Sequence, residues 1–207
     1  MDGAFSMIVT GTGQIDWGDG SALESYSTVS TVVLSHTYSS FDGDIKFYGT
    51  LTYITFDTLN STIHHDISLL PKELEHYRLS KNNTVYGDIA NLPSTLDYFL
   101  CFGANTTHGD IANLPSGLLQ YYNIGLNEVS QYTAGHVFDS AINQFYSKPT
   151  TGFGLDTTEI DNLLIDLEAS GMSTGTITLS GNNAPRSAAS DTAVNSLVAK
   201  GVTVTTS

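Results

Sequence analysis

The chain has 207 residues, 40% of them apolar and 14% charged, and its 7 basic against 21 acidic residues give a net charge of −14. That length fits one domain, or one domain with a small appendage, and the apolar content suffices for a core. No cluster of Lys and Arg exists to attract a phosphate backbone, which argues against nucleic-acid binding, and an anionic membrane surface should repel the chain. No segment reaches the roughly 18 apolar residues of a membrane span, so no membrane insertion is expected, and the single cysteine, Cys101, excludes an internal disulfide.

The first residues, Met1-Asp2-Gly3-Ala4, lack the basic and apolar regions of a secretory signal. That suits either a virion component released without one or a segment whose signal lies upstream. Residues 1–49 read as short strands at 6–10, 14–17, 29–35 and 46–48, separated by Gly- and Ser-rich turns. So short a region rarely supports its own core, and it is expected to act as an N-terminal β cap on the rest of the chain. Asp16-Trp17-Gly18-Asp19-Gly20-Ser21, followed by His36-Thr37-Tyr38, resembles the WGDG turn and HxY strand of polycystic-kidney-disease-type β-domains, over residues 5–49. Asp and Gly suit such a tight turn. Asp16 and Asp19 are also weak calcium candidates, with Glu24 and Asp42 as further oxygens, but such sites want about six ligands or more. A structural turn is expected there, and no metal or other cofactor is assigned.

From residue 50 onward a 22-residue unit dominates. His65-Asp66-Ile67-Ser68-Leu69-Leu70-Pro71 recurs as Gly87-Asp88-Ile89-Ala90-Asn91-Leu92-Pro93 and as Gly109-Asp110-Ile111-Ala112-Asn113-Leu114-Pro115. Leu74, Leu96 and Leu118 keep step with it, as do Tyr77, Phe99 and Tyr121, and Asn83, Asn105 and Asn127. A period of about twenty residues predicts stacked units that bury their apolar rows against one another. Leu74, Tyr77, Leu79 and Asn82 resemble the LxxLxLxxN pattern of leucine-rich repeats, and later units match one residue on, with Leu100, Phe102 and Asn105, then Tyr122, Ile124 and Asn127. The GDIxxLP stretch is similar to the convex segment of the repeats in plant receptors. Residues 131–154 are expected to form an irregular coil around 142–146. Residues 155–207 read as two helix–strand coils, the first helix opening on an Asp156-Thr157-Thr158-Glu159 capping box.

The chemistry offered is sparse. Asp66, Asp88 and Asp110 read as a column of turn-capping carboxylates, with a cation threaded along them as the sharper alternative. His64, His65, His76, His108 and His136 lack the paired spacing of a metal site. No phosphate loop, no GxSxG elbow and no Cys–His pair stands out. Asn60 and Asn105 open glycosylation sequons that matter only in a eukaryotic secretory pathway.

The sequence therefore predicts an α/β solenoid, a short leucine-rich-repeat coil stack with an N-terminal β cap (1–49) and a solenoid over 50–207, comprising 22-residue units (65–130), the irregular coil (131–154) and helix–strand coils (155–207). The tail 181–204 resembles the ending of repeat proteins from Bacteroidetes-type bacteria and their phages. The missing catalytic motifs and the acids that follow the repeat predict a non-enzymatic protein. The likeness of the tail implies a surface-exposed binding or structural part: a phage virion component that binds a receptor or decorates capsid or tail, or alternatively a secreted or cell-surface adhesin that binds protein or glycan. The expected binding face is His76, Arg78, Tyr98, Leu100, Gln120 and Tyr122, since exposed aromatics among polar groups suit contact with a protein or cell-surface glycan. Homo-oligomeric or virion assembly is expected with it, at a virion surface or an extracellular or cell surface.

Overall fold

A computed structural model describes residues 3–38, 45–56, 64–79, 84–103, 105–150 and 152–207. In chain order the elements are β1 (Gly3–Asp16), β2 (Glu24–Tyr38), β3 (Lys46–Phe56), β4 (His64–Asp66), β5 (His76–Leu79), β6 (Thr84–Asp88), β7 (Tyr98–Gly103), β8 (Thr106–His108), β9 (Gln120–Gly125), β10 (Gln144–Pro149), α1 (Thr157–Ala169), β11 (Gly175–Leu179), α2 (Asp191–Ala199) and β12 (Val202–Thr206). Nine strands form one mixed sheet in the order β12-β11-β10-β9-β7-β5-β3-β1-β2, and β4-β6-β8 form a second.

This corrects the expected solenoid of leucine-rich-repeat coils. The fold is a sheet-dominated α/β fold, 44% strand and 19% helix, with two α-helices among the described residues. The overturning finding is one large mixed sheet that does not stop at the repeats. Strand β3 pairs in parallel with β5 on one side and antiparallel with β1 on the other, and β2 pairs with β1. In-plane extension explains the outcome, because the backbone donors and acceptors along the open edge of β5 gain direct ladder partners in β3. The long, Thr- and Val-rich β2 and β1 are built of residues that suit a pleated surface.

Side chains alternate across the main sheet, so its inner face carries aligned rows. Ile54, Tyr77, Phe99, Tyr121, Phe145 and Ile177 are consecutive register partners, and all are fully buried. Tyr77 stacks on Phe99 at 5.7 Å and Phe99 on Tyr121 at 5.8 Å. The 22-residue step from Tyr77 to Phe99 to Tyr121 is kept without offset. The one-residue shift that the leucine-rich-repeat pattern suggests is therefore absent from the sheet.

The second layer holds β4, β6, β8, four 3₁₀ turns and the two helices, which share one apolar core with the inner face. Each repeat enters its turn through an aspartate. Asp66 Oδ1 accepts from Ser68 N at 2.8 Å, Asp88 Oδ1 from Ala90 N at 2.9 Å, and Asp110 Oδ1 from Ala112 N at 2.8 Å. A Pro-to-Leu turn follows, with the amides of Leu74, Leu96 and Leu118 donating to the carbonyls of Pro71, Pro93 and Pro115, and the three leucines are buried. The aspartates do not stand in a straight column. Asp66 pairs with Tyr86, and Asp88 with His108, so successive units are staggered by two residues in the small sheet.

Residues 131–154, expected to form an irregular coil around 142–146, contain strand β10, which lies between β9 and β11. Helix α1 begins as its capping box indicates: Asp156 Oδ1 accepts from Glu159 N and Glu159 Oε2 from Asp156 N, both at 2.8 Å. No helix among the described residues is long and apolar enough to cross a membrane.

Candidate binding face

The opposite side of the main sheet bears no helix or second sheet in the described residues, and its rows follow from the same register. One row runs Tyr53, His76, Tyr98, Gln120, Gln144, Thr176, Thr203, and the next runs Thr55, Arg78, Leu100, Tyr122, Tyr146, Thr178, Thr205. A shorter third row holds Phe102, Ile124 and Lys148. The sheet thus brings all six residues singled out in the sequence onto one face: His76, Tyr98 and Gln120 in the first row, Arg78, Leu100 and Tyr122 in the second. Leu100 is only 5% exposed and forms floor, not contact surface.

The rings are ordered by one another. His76 lies between Tyr53 and Tyr98, stacked at 4.5 and 4.0 Å with interplanar angles of 16° and 7°. In the second row Tyr122 and Tyr146 stack at 4.6 Å and 14°. Tyr98 and Tyr122 meet across the rows at 6.4 Å, tilted by 40°. Such contacts are each worth about 0.5–1.5 kcal/mol beyond area burial. They fix the rings upright and turn edges and hydroxyls outward. Gln120 is held as well, its Nε2 donating to Asn143 Oδ1 at 3.2 Å.

Charge sets this face apart. The chain has 21 acidic residues, yet none stands in these three rows, which contain Arg78 and Lys148. Both cations are exposed, and neither forms an ion pair among the described residues. Burial, reinforced by the Arg78 guanidinium, pulls the His76 imidazole down to about 4, so the ring is neutral at pH 7. Burial pushes up the hydroxyls of Tyr98 and Tyr122, which stay protonated donors. The face therefore offers neutral donors, apolar ring edges and two cations, with no carboxylate to repel an anion or compete for a hydroxyl.

Sequence reasoning missed Tyr53, Gln144 and Tyr146. The signal existed: Gln144-Phe145-Tyr146 repeats the type and order of Gln120-Tyr121-Tyr122, its register partners. The longer spacing between these two strands, 24 residues where the repeat has 22, hid the match.

The WGDG turn is a separate, internally satisfied unit. Asp16 Oδ1 accepts from Gly18 N at 2.9 Å and Asp19 Oδ1 from Ser21 N at 3.0 Å. Asp19 Oδ2 is 2.8 Å from His36 Nε2, and the His36 ring stacks on Trp17 at 4.8 Å, while Trp17 Nε1 donates to Glu24 Oε2 at 2.9 Å. The His36 bond, then those of Ser21, hold the Asp19 carboxyl far below the usual range. The candidate calcium ligands thus serve as turn and strand fasteners. Asp42, Asn60, Asn82 and Asn83 lie outside the described residues. Asn105 is buried, its Nδ2 donating to Ile124 O at 3.2 Å, and offers no open acceptor for a glycan. Among the described residues no three potential metal-ligating side chains converge.

No protein-family model matches the chain, and neither does any curated protein or any solved structure.

Proposed function

We propose that the protein is a non-enzymatic binding component of an exposed surface, and that the outer face of its main sheet makes the contact. The observation that carries this reading is a broad, ring-ordered, acid-free face on a chain of net charge −14. At the chain's average density of acids, 21 in 207 residues, about two would fall in these rows. Their exclusion, with Arg78 and Lys148 left without ion pairs among the described residues, fits a surface kept for a partner. The non-enzymatic part is supported by the commitments of the conspicuous acids: Asp66, Asp88 and Asp110 cap turns, Asp156 caps α1, and Asp161 accepts from Ser187 and Ser190. The likeness of the tail to phage and Bacteroidetes-type repeat proteins supports a virion surface as the setting, with a cell-surface protein or glycan as partner.

The test is direct. Fluorescently labelled protein is added to a panel of Bacteroidetes cells and bound signal is measured by flow cytometry, for the native chain and for Arg78→Glu/Lys148→Glu. The native chain should bind at least one strain, and the double variant should lose tenfold or more. Equal binding by both would remove the outer face as the contact.

A further inference from the structure

The aromatic stack on the outer face ends abruptly. Tyr122 covers one face of the Tyr146 ring, but the next register partner along the row is Thr178, followed by Thr205, so the second ring face has no aromatic neighbour among the described residues. Beside them in the adjacent row stand Thr176 and Thr203. The sheet surface therefore steps down from an upright tyrosine wall to a low floor of four threonines, spaced by the interstrand distance of about 4.8 Å. None of the four threonine hydroxyls makes a hydrogen bond within the described residues, nor do the Tyr146 hydroxyl or the Gln144 amide, although the comparable Gln120 is bonded. The other stack ends differently: Tyr53 is followed by Thr10 of β1, and Tyr98 by Gln120 with Tyr122 tilted beside it, whereas Tyr146 turns a flat side to the shelf of four threonines.

We propose that this step is a subsite for a neutral pyranose unit of a polysaccharide, a reading that rests on the binding function proposed above and specifies its ligand. A pyranose has an apolar face of axial C–H groups and a rim of hydroxyls. Its apolar face matches the free side of Tyr146, and its rim matches the unbonded Thr178, Thr205 and Gln144 groups, which can both donate and accept. The absence of carboxylates from the shelf leaves those hydroxyls without charged competitors. A protein strand laid there would instead have to satisfy a run of backbone amides on side-chain hydroxyls alone, a poorer match than a ring with a polar rim.

A glycan array probed with the intact chain, then titrations with the best-bound soluble oligosaccharide, test this. Tyr146→Ala should weaken binding at least tenfold, and Tyr146→Phe less than threefold. Thr178→Tyr, which extends the stack and covers the free ring face, should weaken it as much as Tyr146→Ala, while Tyr98→Ala should cost less than threefold. In saturation-transfer NMR the axial C–H protons of one sugar should receive the strongest effect. Unchanged circular dichroism melting of the variants establishes that they fold. Loss on Tyr98→Ala but not on Tyr146→Ala overturns the subsite and leaves the binding face. Cell binding without any array signal overturns the sugar and leaves the face; absence of both overturns both proposals.

Discussion

Gly109 takes φ +117 directly over the Asp88 carboxylate, and Gly87 takes φ +118 over Asp66. At position 87 a methyl group would stand 2.9 Å from Asp66 Oδ1 and 3.0 Å from Ile67 Cγ1, in a backbone region side chains rarely adopt. The glycine before each aspartate is therefore there for the aspartate of the preceding unit. Gly109→Ala should cost about 1–3 kcal/mol, from strain and displacement of the Asp88 cap. A lower urea midpoint with an unchanged slope would check this. His65 takes the corresponding position in the first unit, packed edge-on to Phe56, with its Nδ1 3.0 Å from the Tyr77 hydroxyl and its Nε2 unpaired. Burial, against a smaller opposing effect of Asp66, pulls its imidazole down to about 4. The unfolded chain protonates near 6.5, so the folded state binds fewer protons between these values. The contribution is whole above about 6.5 and is lost as pH falls toward 4. His76, half-buried and pulled the same way, adds a smaller loss in the same window. Urea unfolding at pH 7 and pH 5 should show a clear drop, reduced in His65→Gln, which keeps an amide for Tyr77; an equal drop in the variant would move the cause elsewhere.

Among the elements, legibility followed the range of the forces involved. The capping box at Asp156 and the apolar stripe of Ile160, Leu163, Leu164 and Leu167 are local signals, and α1 forms where they indicate, with that stripe buried. The repeat period predicts the shared rows of leucines and aromatics, and the outer-face residues follow from alternation once one register is fixed. The sheet's extent was not legible, because whether β3 lies beside β5 or across it depends on edge pairing that no residue type encodes. The segment before β10 was illegible for a similar reason: its partners are distant. Tyr132 Oη donates to Asp166 Oδ2 at 2.6 Å, as does Gly135 N, and Tyr132 N donates to Glu159 Oε1 at 3.1 Å. Two carboxylates of α1 thus hold a stretch with no ladder of its own, while Asp110 accepts from Thr133 N and Oγ1. Bonds to a charged acceptor are worth about 1.5–3 kcal/mol each. Asp166→Ala should therefore lower stability by about 2–4 kcal/mol, less any gain from water replacing the carboxylate. Hydrogen exchange should accelerate across 132–138 and stay unchanged in β7 and β9; uniform acceleration would mean that the segment has no separate hold.

For the molecule as a whole, the question is what keeps an open nine-stranded sheet from growing. Both edges are weakly guarded. Residues 25–38 of β2 contain no Asp, Glu, Lys or Arg, and β12 is Val202-Thr203-Val204-Thr205-Thr206. A register shift in β2, where three residues stand opposite Thr10, kinks that edge. β12 has neither kink, charge nor proline, the usual safeguards of an exposed edge. Ser207 N donates to Leu179 O at 3.0 Å, so by alternation the amides of Thr205 and Thr203 also turn to β11, and those of Val204 and Thr206 face outward. Repulsion between copies of net charge −14 is then the remaining barrier to edge pairing. It vanishes near the isoelectric point of 4.4 and weakens with salt, as the screening length falls to about 3 Å at 1 M. Light scattering should accordingly show association growing as pH falls from 7 toward 4.4, and at pH 7 as salt is raised. Thr206→Pro removes one outward donor without touching the bond to β11 and should suppress both trends. Association of the proline variant to the same extent would shift the contact to β2 or to the outer face, where Tyr146→Ala would then be the variant that reduces it.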